Sequence, residues 1–480
     1  MRYLIIIPFL LQFTAANAQL NSYNIAAYGA INDNQTNNAP FIQKAIDACS
    51  AAGGGRVIIP AGGIFVSGPF KLRSFVELHV EPGAKILASS NEELYTESAF
   101  RANKGEGTIW IGGENLQQVS ISGHGIIDGN GIAFMGKELQ DSYELKPFDK
   151  TDPRPHLLTL INCKQVRISG VKIQNSAYWT VHLVGCNDVA ITDITLLNSV
   201  KVRNSDGIDL DHSKNVRINN CYIESGDDCI CLKNRREYEE FGACENITVS
   251  NCIMTSSSCA FKIGSENMDR ISHVVVTNCI IKNSNRGLGI QNRDEGTVSD
   301  VVFSNILIDS HFFSDVWWGK AEPIYVTAYR RATANNKDAG WRLPTGQKEG
   351  KVGVVERIYF NNIKCRSENG VYISAETANK ISHIYLDNID VEINKTTGFA
   401  GGVNDRRPSN VEGLVKANTA GFYLDNATGI FINNCSVNWG TNRAPYFVHG
   451  IESHGVKQLK LTGVNAVAAF SGKTDVQILK

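Results

Sequence analysis

Apolar and polar residues alternate along most of the chain in short bursts that break at Asn, Gly or Asp and then resume. The burst VRISGVKIQNS from Val166 returns as VAITDITLLNS from Val189, VRINNCYIESG from Val216 and ITVSNCIMTSS from Ile247. It continues as VVVTNCIIKNS from Val274 and VVFSNILIDS from Val301, with weaker copies from Val119, Ile358, Ile384, Ile430 and Leu459. Alternation with period two, interrupted by a bend residue, predicts a short β-strand, a tight turn and a second strand.

Starts of the better copies are separated by 23, 27, 31, 27 and 27 residues, within the range of repeat architectures. The interval varies because loops can lengthen without disturbing a stack. If each copy is one turn of a parallel β-helix, its apolar positions form a continuous core and successive turns lie about 4.8 Å apart. Asn at the bends suits the left-handed backbone conformation, and vertical Asn stacks can hydrogen-bond.

A solenoid needs covered ends. Residues 39–51, APFIQKAIDACSA, place Phe41, Ile42, Ala45, Ile46 and Cys49 at helical spacing. The expectation is an all-β fold with a short N-terminal capping helix, and GGGRVIIPAG opening the first coil. A partner-binding surface helix is the alternative.

The 480 residues exceed the usual size of a single compact core, yet no Pro-, Ser- or charge-rich linker marks a boundary. Residues 19–480 are therefore expected to be one β-helix domain, acting as a monomer. With 47 Lys and Arg against 48 Asp and Glu, there is no broad basic field for nucleic acid or an anionic membrane. The opening MRYLIIIPFLLQFTAANAQ reads as a secretory signal, residues 1–18, cleaved after Ala18. Export to the periplasm or the medium follows, as a soluble protein, because no later run approaches the roughly 20 apolar residues of a membrane span.

Twelve cysteines in an exported chain suggest disulfides, but Cys221, Cys252, Cys279 and Cys435 each follow an Asn in the same frame of the repeat. Free Cys behaves as a small buried hydrophobe, so a stacked row of thiols is expected. Cys229 and Cys231 sit inside a strand pattern and imply no metal site.

Two acidic motifs stand out, NSDGIDLD at 204–211 and GDD at 226–228. Setting Ile208 and Leu210 inward, above Ile230 and Leu232, gives an offset of 22 residues. Asp206 then lies beside Asp228 across adjacent coils, with Asp227 one residue earlier, on the outer wall. Close carboxylates raise the energy of their ionised forms and need a purpose. Three remain open from the residues alone: a calcium site using Asp206, Asp209 and Asp228, acid/base work on a glycosidic bond, or a polar surface.

PHLLTLINCKQVRISGVKIQNSAYWTVHLVGCNDVAITDITLLN, followed by NSDGIDLD, GDDCI and IGSE, resembles the polygalacturonase-like glycoside hydrolases, glycoside hydrolase family 28, over roughly residues 22–330. The resemblance implies a right-handed parallel β-helix and inverting, single-displacement hydrolysis of a pectic polysaccharide or oligosaccharide, with no cofactor and no metal. Carried over, Asp227 is the general acid, and Asp206 and Asp228 hold and deprotonate the attacking water. Asn204 opens the family's N-x-D motif and orients a neighbouring acid, and Tyr329, in EPIYVTAYR, takes the place of an active-site tyrosine.

Two family pieces are absent. SSSCAFKIGS puts Ser258 and Cys259 where Gly-His-Gly places its His, and GLGIQN puts Gly289 and Gln291 where Arg-Ile-Lys places two cations. In the family those cations bind a galacturonate carboxylate, and each charge-assisted bond lost is worth about 1.5–3 kcal/mol. The expected substrate is therefore a rhamnogalacturonan-type or other non-standard galacturonide linkage, with a neutral sugar on the leaving side. Lys233, Lys262, Gln291 and Arg293 are expected near the substrate. Trp317 and Trp318, in an insertion that lengthens one interval to 57 residues, either stack on a sugar or pack the insertion onto the coil. Competing functions are a calcium-dependent pectic lyase on the same coil and a non-catalytic carbohydrate-binding β-helix.

Overall fold

The computed structural model describes residues 21–102, 105–146, 152–315, 317–331, 343–344, 346–347 and 349–479. The expected secretory leader, residues 1–18, and its expected cleavage position lie outside the described residues.

The repeat closes into a parallel β-helix. Val119, Val166, Val189, Val216, Ile247, Val274, Val301, Ile358, Ile384, Ile430 and Leu459 pair in register as one vertical column. These are the burst starts read from the sequence. They belong to a 23-stranded sheet that bends once per turn, and a 13-stranded sheet forms the remaining wall. One apolar core runs from Ile25 to Ala469.

The bends explain the Asn. Asn220, Asn251, Asn278, Asn305, Asn362, Asn388 and Asn434 have φ between 52° and 56°, a region that Asn tolerates better than other side chains. They also form a ladder: Asn305 Nδ2 donates to Asn278 Oδ1 at 3.2 Å, Asn362 to Asn305 at 2.7 Å and Asn388 to Asn362 at 3.1 Å. All twelve cysteines are free and buried. Cys221, Cys252 and Cys279 occupy successive turns just after these bends, whereas Ile306, Ile363 and Ile389 separate Cys435 from them. The thiol row is thus three residues long, with Cys435 apart.

Helix α1, Ala39–Ala51, packs on the first coil through buried Ile42, Ala45, Ile46 and Cys49, and covers its end as expected. Phe41 is half-buried and lies against Gly29.

The 13-stranded wall carries the acids. Its relevant strands are β1 (Asp152–Ile161), β2 (Val181–Val184), β3 (Ile208–Asp211), β4 (Ile230–Asn234), β5 (Cys259–Asn267), β6 (Arg286–Asn292), β7 (Ile324–Ala328) and β8 (Val371–Ala375). Ile208 pairs with Ile230 and Leu210 with Leu232, the predicted offset. The long interval leaves the coil after Ser310 and rejoins it without breaking the register of Val301 on Ile358. An antiparallel hairpin, Val403–Asp405 with Leu414–Lys416, adds a second excursion.

Candidate active site

Two loops are stitched together to place the carboxyls. Gly226 donates its backbone N–H to Ser205 Oγ at 3.0 Å, and Gly207 donates to the Asp228 carbonyl at 2.8 Å. A Cβ at Gly226 would stand 2.1 Å from the Val202 carbonyl oxygen, so only glycine lets the GDD loop lie this close. Ser225 and Ser256 hydroxyls both donate to the Asp227 carbonyl, at 2.6 and 2.5 Å. Asn204 takes the left-handed conformation at φ 61° as the chain turns into the motif.

Asp206, Asp227 and Asp228 converge, with an oxygen of each within 4.8 Å of the others. They are not on an open surface as the outer-wall placement suggested: they are 3%, 6% and 1% exposed. They sit in a pocket of about 230 Å³. Phe100, Tyr178 and Trp179 line it, together with Trp318 and Pro408 from the two excursions.

Burial dominates the electrostatics. Loss of solvent raises Asp227, and the neighbouring Asp228 charge adds to it, pushing the carboxyl to about 6. Asp206 is raised well above the ordinary carboxylate range, by burial first and then by Asp209 and Asp227. Asp209, fully buried on β3, is pushed to about 7 by burial, against the pull of Lys233. These acids interact strongly enough to titrate as one system. Asp228 is held differently: Lys262 Nζ lies 2.7 Å from its Oδ2 and Ser258 Oγ donates to its Oδ1 at 3.1 Å. The acids considered for calcium, Asp206, Asp209 and Asp228, each face an ammonium.

Lys233 and Lys262 are at the site as expected, and Gln291 lines the pocket while its amide N–H donates to the Arg407 carbonyl. Two expectations are corrected. Arg293 is fully buried, and its guanidinium donates to the carbonyls of Asn292, Arg406 and Pro408 and to the hydroxyls of Thr327 and Tyr325. It is a strut for the 403–416 hairpin. Tyr329 is outside the pocket lining, and its hydroxyl bonds Ser374 on β8. The same segment instead delivers Arg331, which lines the pocket and pairs with Asp294 at 3.0 Å.

Of the two tryptophans, Trp318 lines the pocket, under the Arg407 guanidinium at 5.2 Å, whereas Trp317 is outside that lining, with Arg203 over its ring at 4.9 Å.

The sequence pattern of the glycosyl hydrolases family 28 matches residues 49–408, which contain every acid of this pocket. The chain belongs to glycosyl hydrolase family 28. Among curated relatives, a probable polygalacturonase of Vitis vinifera is 30% identical over 265 residues, covering 52% of this chain and 51% of that protein. An exopolygalacturonase of Zea mays is 27% identical over 217 residues, covering 44% and 48%. The chain thus spans about half the length of these relatives. The fold matches an exopolygalacturonase of Thermotoga maritima at TM-score 0.62 and 20% identity, over 92% of each chain. A Yersinia enterocolitica family 28 exopolygalacturonase matches at TM-score 0.66 and 17% identity, over 96% of this chain and 78% of that one. As in those structures, the family 28 chain is a right-handed parallel β-helix.

Sequence reasoning missed Phe100, Glu106, Tyr178, Trp179, Arg235, Glu266 and Arg331 in this lining. Tyr178 and Trp179 carried a signal, since they stand at the bend that leads into β2, one turn before the acids.

Proposed function

We propose that this family 28 chain is an exported glycoside hydrolase that cleaves a glycosidic bond in pectic polysaccharide or oligosaccharide by single displacement with inversion. Residues 19–480 act as one catalytic unit, as a monomer, and the chemistry is proton transfer without a cofactor. The observation that carries the reading is the convergence of three buried carboxyls, one of them, Asp227, raised to about 6. A carboxyl that keeps its proton up to about pH 6 can donate it to the leaving oxygen. Asp206 and Asp228 then hold and deprotonate water, and Asn204 orients the turn that carries Asp206.

The departures from the family pattern bear on the substrate. Each cation lining the pocket already has an acid partner: Lys233 with Asp209, Lys262 with Asp228, Arg235 with Glu237 and Arg331 with Asp294. A side chain at position 289 would begin 2.8 Å from Cys259 Sγ, so the β6 wall presents no cation there. This supports a neutral sugar on the leaving side, as in a rhamnogalacturonan-type linkage. Lys262, Gln291 and Trp318 are the lining groups that would meet it.

Nearest oxygens within 4.8 Å are closer than the about 6.5–9.5 Å between the two carboxyls of most inverting enzymes, so stereochemistry is the point to test. Purified protein is incubated with a panel of pectic polymers and oligosaccharides, and the anomer first formed is read by proton NMR. Cleavage with inverted product supports the reading. A retained product sinks the mechanism, and no cleavage of any pectic substrate sinks the function.

A further inference from the structure

Lys233 lies 4% exposed, with Nζ 3.1 Å from Asp209 Oδ1, 3.8 Å from Asp206 Oδ2 and 4.3 Å above the Trp179 ring. Trp179 is itself held edge-on by His182 at 4.8 Å and by Phe100 at 5.1 Å. The ammonium is therefore confined between one aromatic face and two carboxyls. Asp206 Oδ1 is buried without a hydrogen-bond partner, whereas both oxygens of Asp228 are engaged.

We infer that Asp209 and Lys233 form a positioning pair that sets the ionisation of Asp206, one of the two acids already read as holding and deprotonating the attacking water. This rests on the hydrolase reading above.

The charges around the pair fix the direction of its action. On Asp206, the acids Asp209, Asp227 and Asp228 oppose ionisation and Lys233 favours it. On Lys233, the facing groups are Cys231, Asp209, Asp206 and Glu266. Asp209 is faced by Lys233, Asp228 and Asp227. Behind this layer, Lys262 is tied to Asp228, Arg235 to Glu237, and His182 lies 3.7 Å from Asp211. Lys233 is thus a divided counter-ion, with Asp209 in the nearer contact and Asp206 in the farther one. Removing the ammonium leaves Asp206 among like charges and raises its pKa. Neutralising Asp209 removes one repelling charge and releases Lys233 toward Asp206, which lowers it. The two substitutions, though they break the same contact, act in opposite directions.

The test is the pH dependence of kcat/KM for Lys233→Met, Asp209→Asn and Asp227→Asn beside wild type, on an end-labelled rhamnogalacturonan oligosaccharide. The acid limb of that profile reports the free enzyme's base. It should move up by about one unit or more in Lys233→Met and down in Asp209→Asn, the size expected for charges within about 4–6 Å. Two losses of rate with unmoved limbs, or limbs that move the same way, show a packing role only and overturn the proposal. Should Lys233→Met fail to fold, Asp209→Asn alone decides, since an acid limb unmoved or raised overturns the proposal. Wild-type turnover by Asp227→Asn overturns the hydrolase reading, and the inference with it. An inactive Asp227→Asn beside unmoved limbs overturns the inference alone.

Discussion

A proton donor tuned by burial has a thermodynamic cost, and at Asp227 that cost can be measured. The carboxyl is raised from 3.8 to about 6 in the folded chain, a shift of about 2 units, or about 3 kcal/mol at 1.36 kcal/mol per unit. Between these values the folded chain binds more protons than the unfolded chain, so stability falls as pH rises through the window from about 4 to 6. Above it the full penalty applies, and below about 4 it vanishes. Asp227→Asn carries no such penalty. Urea unfolding midpoints should therefore show the variant more stable than wild type, by about 3 kcal/mol more at pH 7.5 than at pH 3.5, while turnover drops about 10²–10⁴-fold. A stability difference that is the same at both pH values refutes the claim that Asp227 is held protonated by its surroundings.

Three further outcomes follow from the same charges. Lys262→Met leaves Asp228 buried without its ammonium and should cost about 3–5 kcal/mol in urea unfolding. Because the pKa of Lys262 is raised in the folded state, that contribution is present throughout the neutral range and is lost only above the unfolded Lys value of about 10.4; a loss under about 1 kcal/mol at pH 7 contradicts the pairing. Reaction with pectic substrate should continue unchanged in a chelator and give no product absorbing in the ultraviolet, since a lyase would create a double bond; rising absorbance that a chelator abolishes favours the lyase. Activity should fall as pH rises past about 6, where Asp227 loses its proton, and a profile still rising at pH 8 removes Asp227 as the acid.

Much of the fold was legible because strand alternation and bend residues are local signals. Val166, Val189 and Val216 could be aligned by eye, and the wall register followed once Ile208 was set above Ile230. The acids were legible for the same reason, since both motifs lie on coils whose inward residues fix the phase. Their enclosure was not, because part of the pocket lining, Trp318 and Pro408, comes from excursions with no repeat pattern, far along the chain. Arg293 and Tyr329 were misplaced by a related limit. The coil register fixes strand positions, but their side chains are claimed by the 403–416 hairpin and by Ser374, which no local pattern announces. The pairing of Arg331 was likewise invisible, because its partner Asp294 is 37 residues away.

The most direct test of the central claim pairs Asp227→Asn with two substrates sharing one sugar, an oligosaccharide and a 4-nitrophenyl glycoside. Nitrophenolate leaves without a proton, so the variant should be nearly inactive on the first and retain most of its wild-type rate on the second. Equal losses on both would contradict the assignment of Asp227 as the donor to the leaving oxygen.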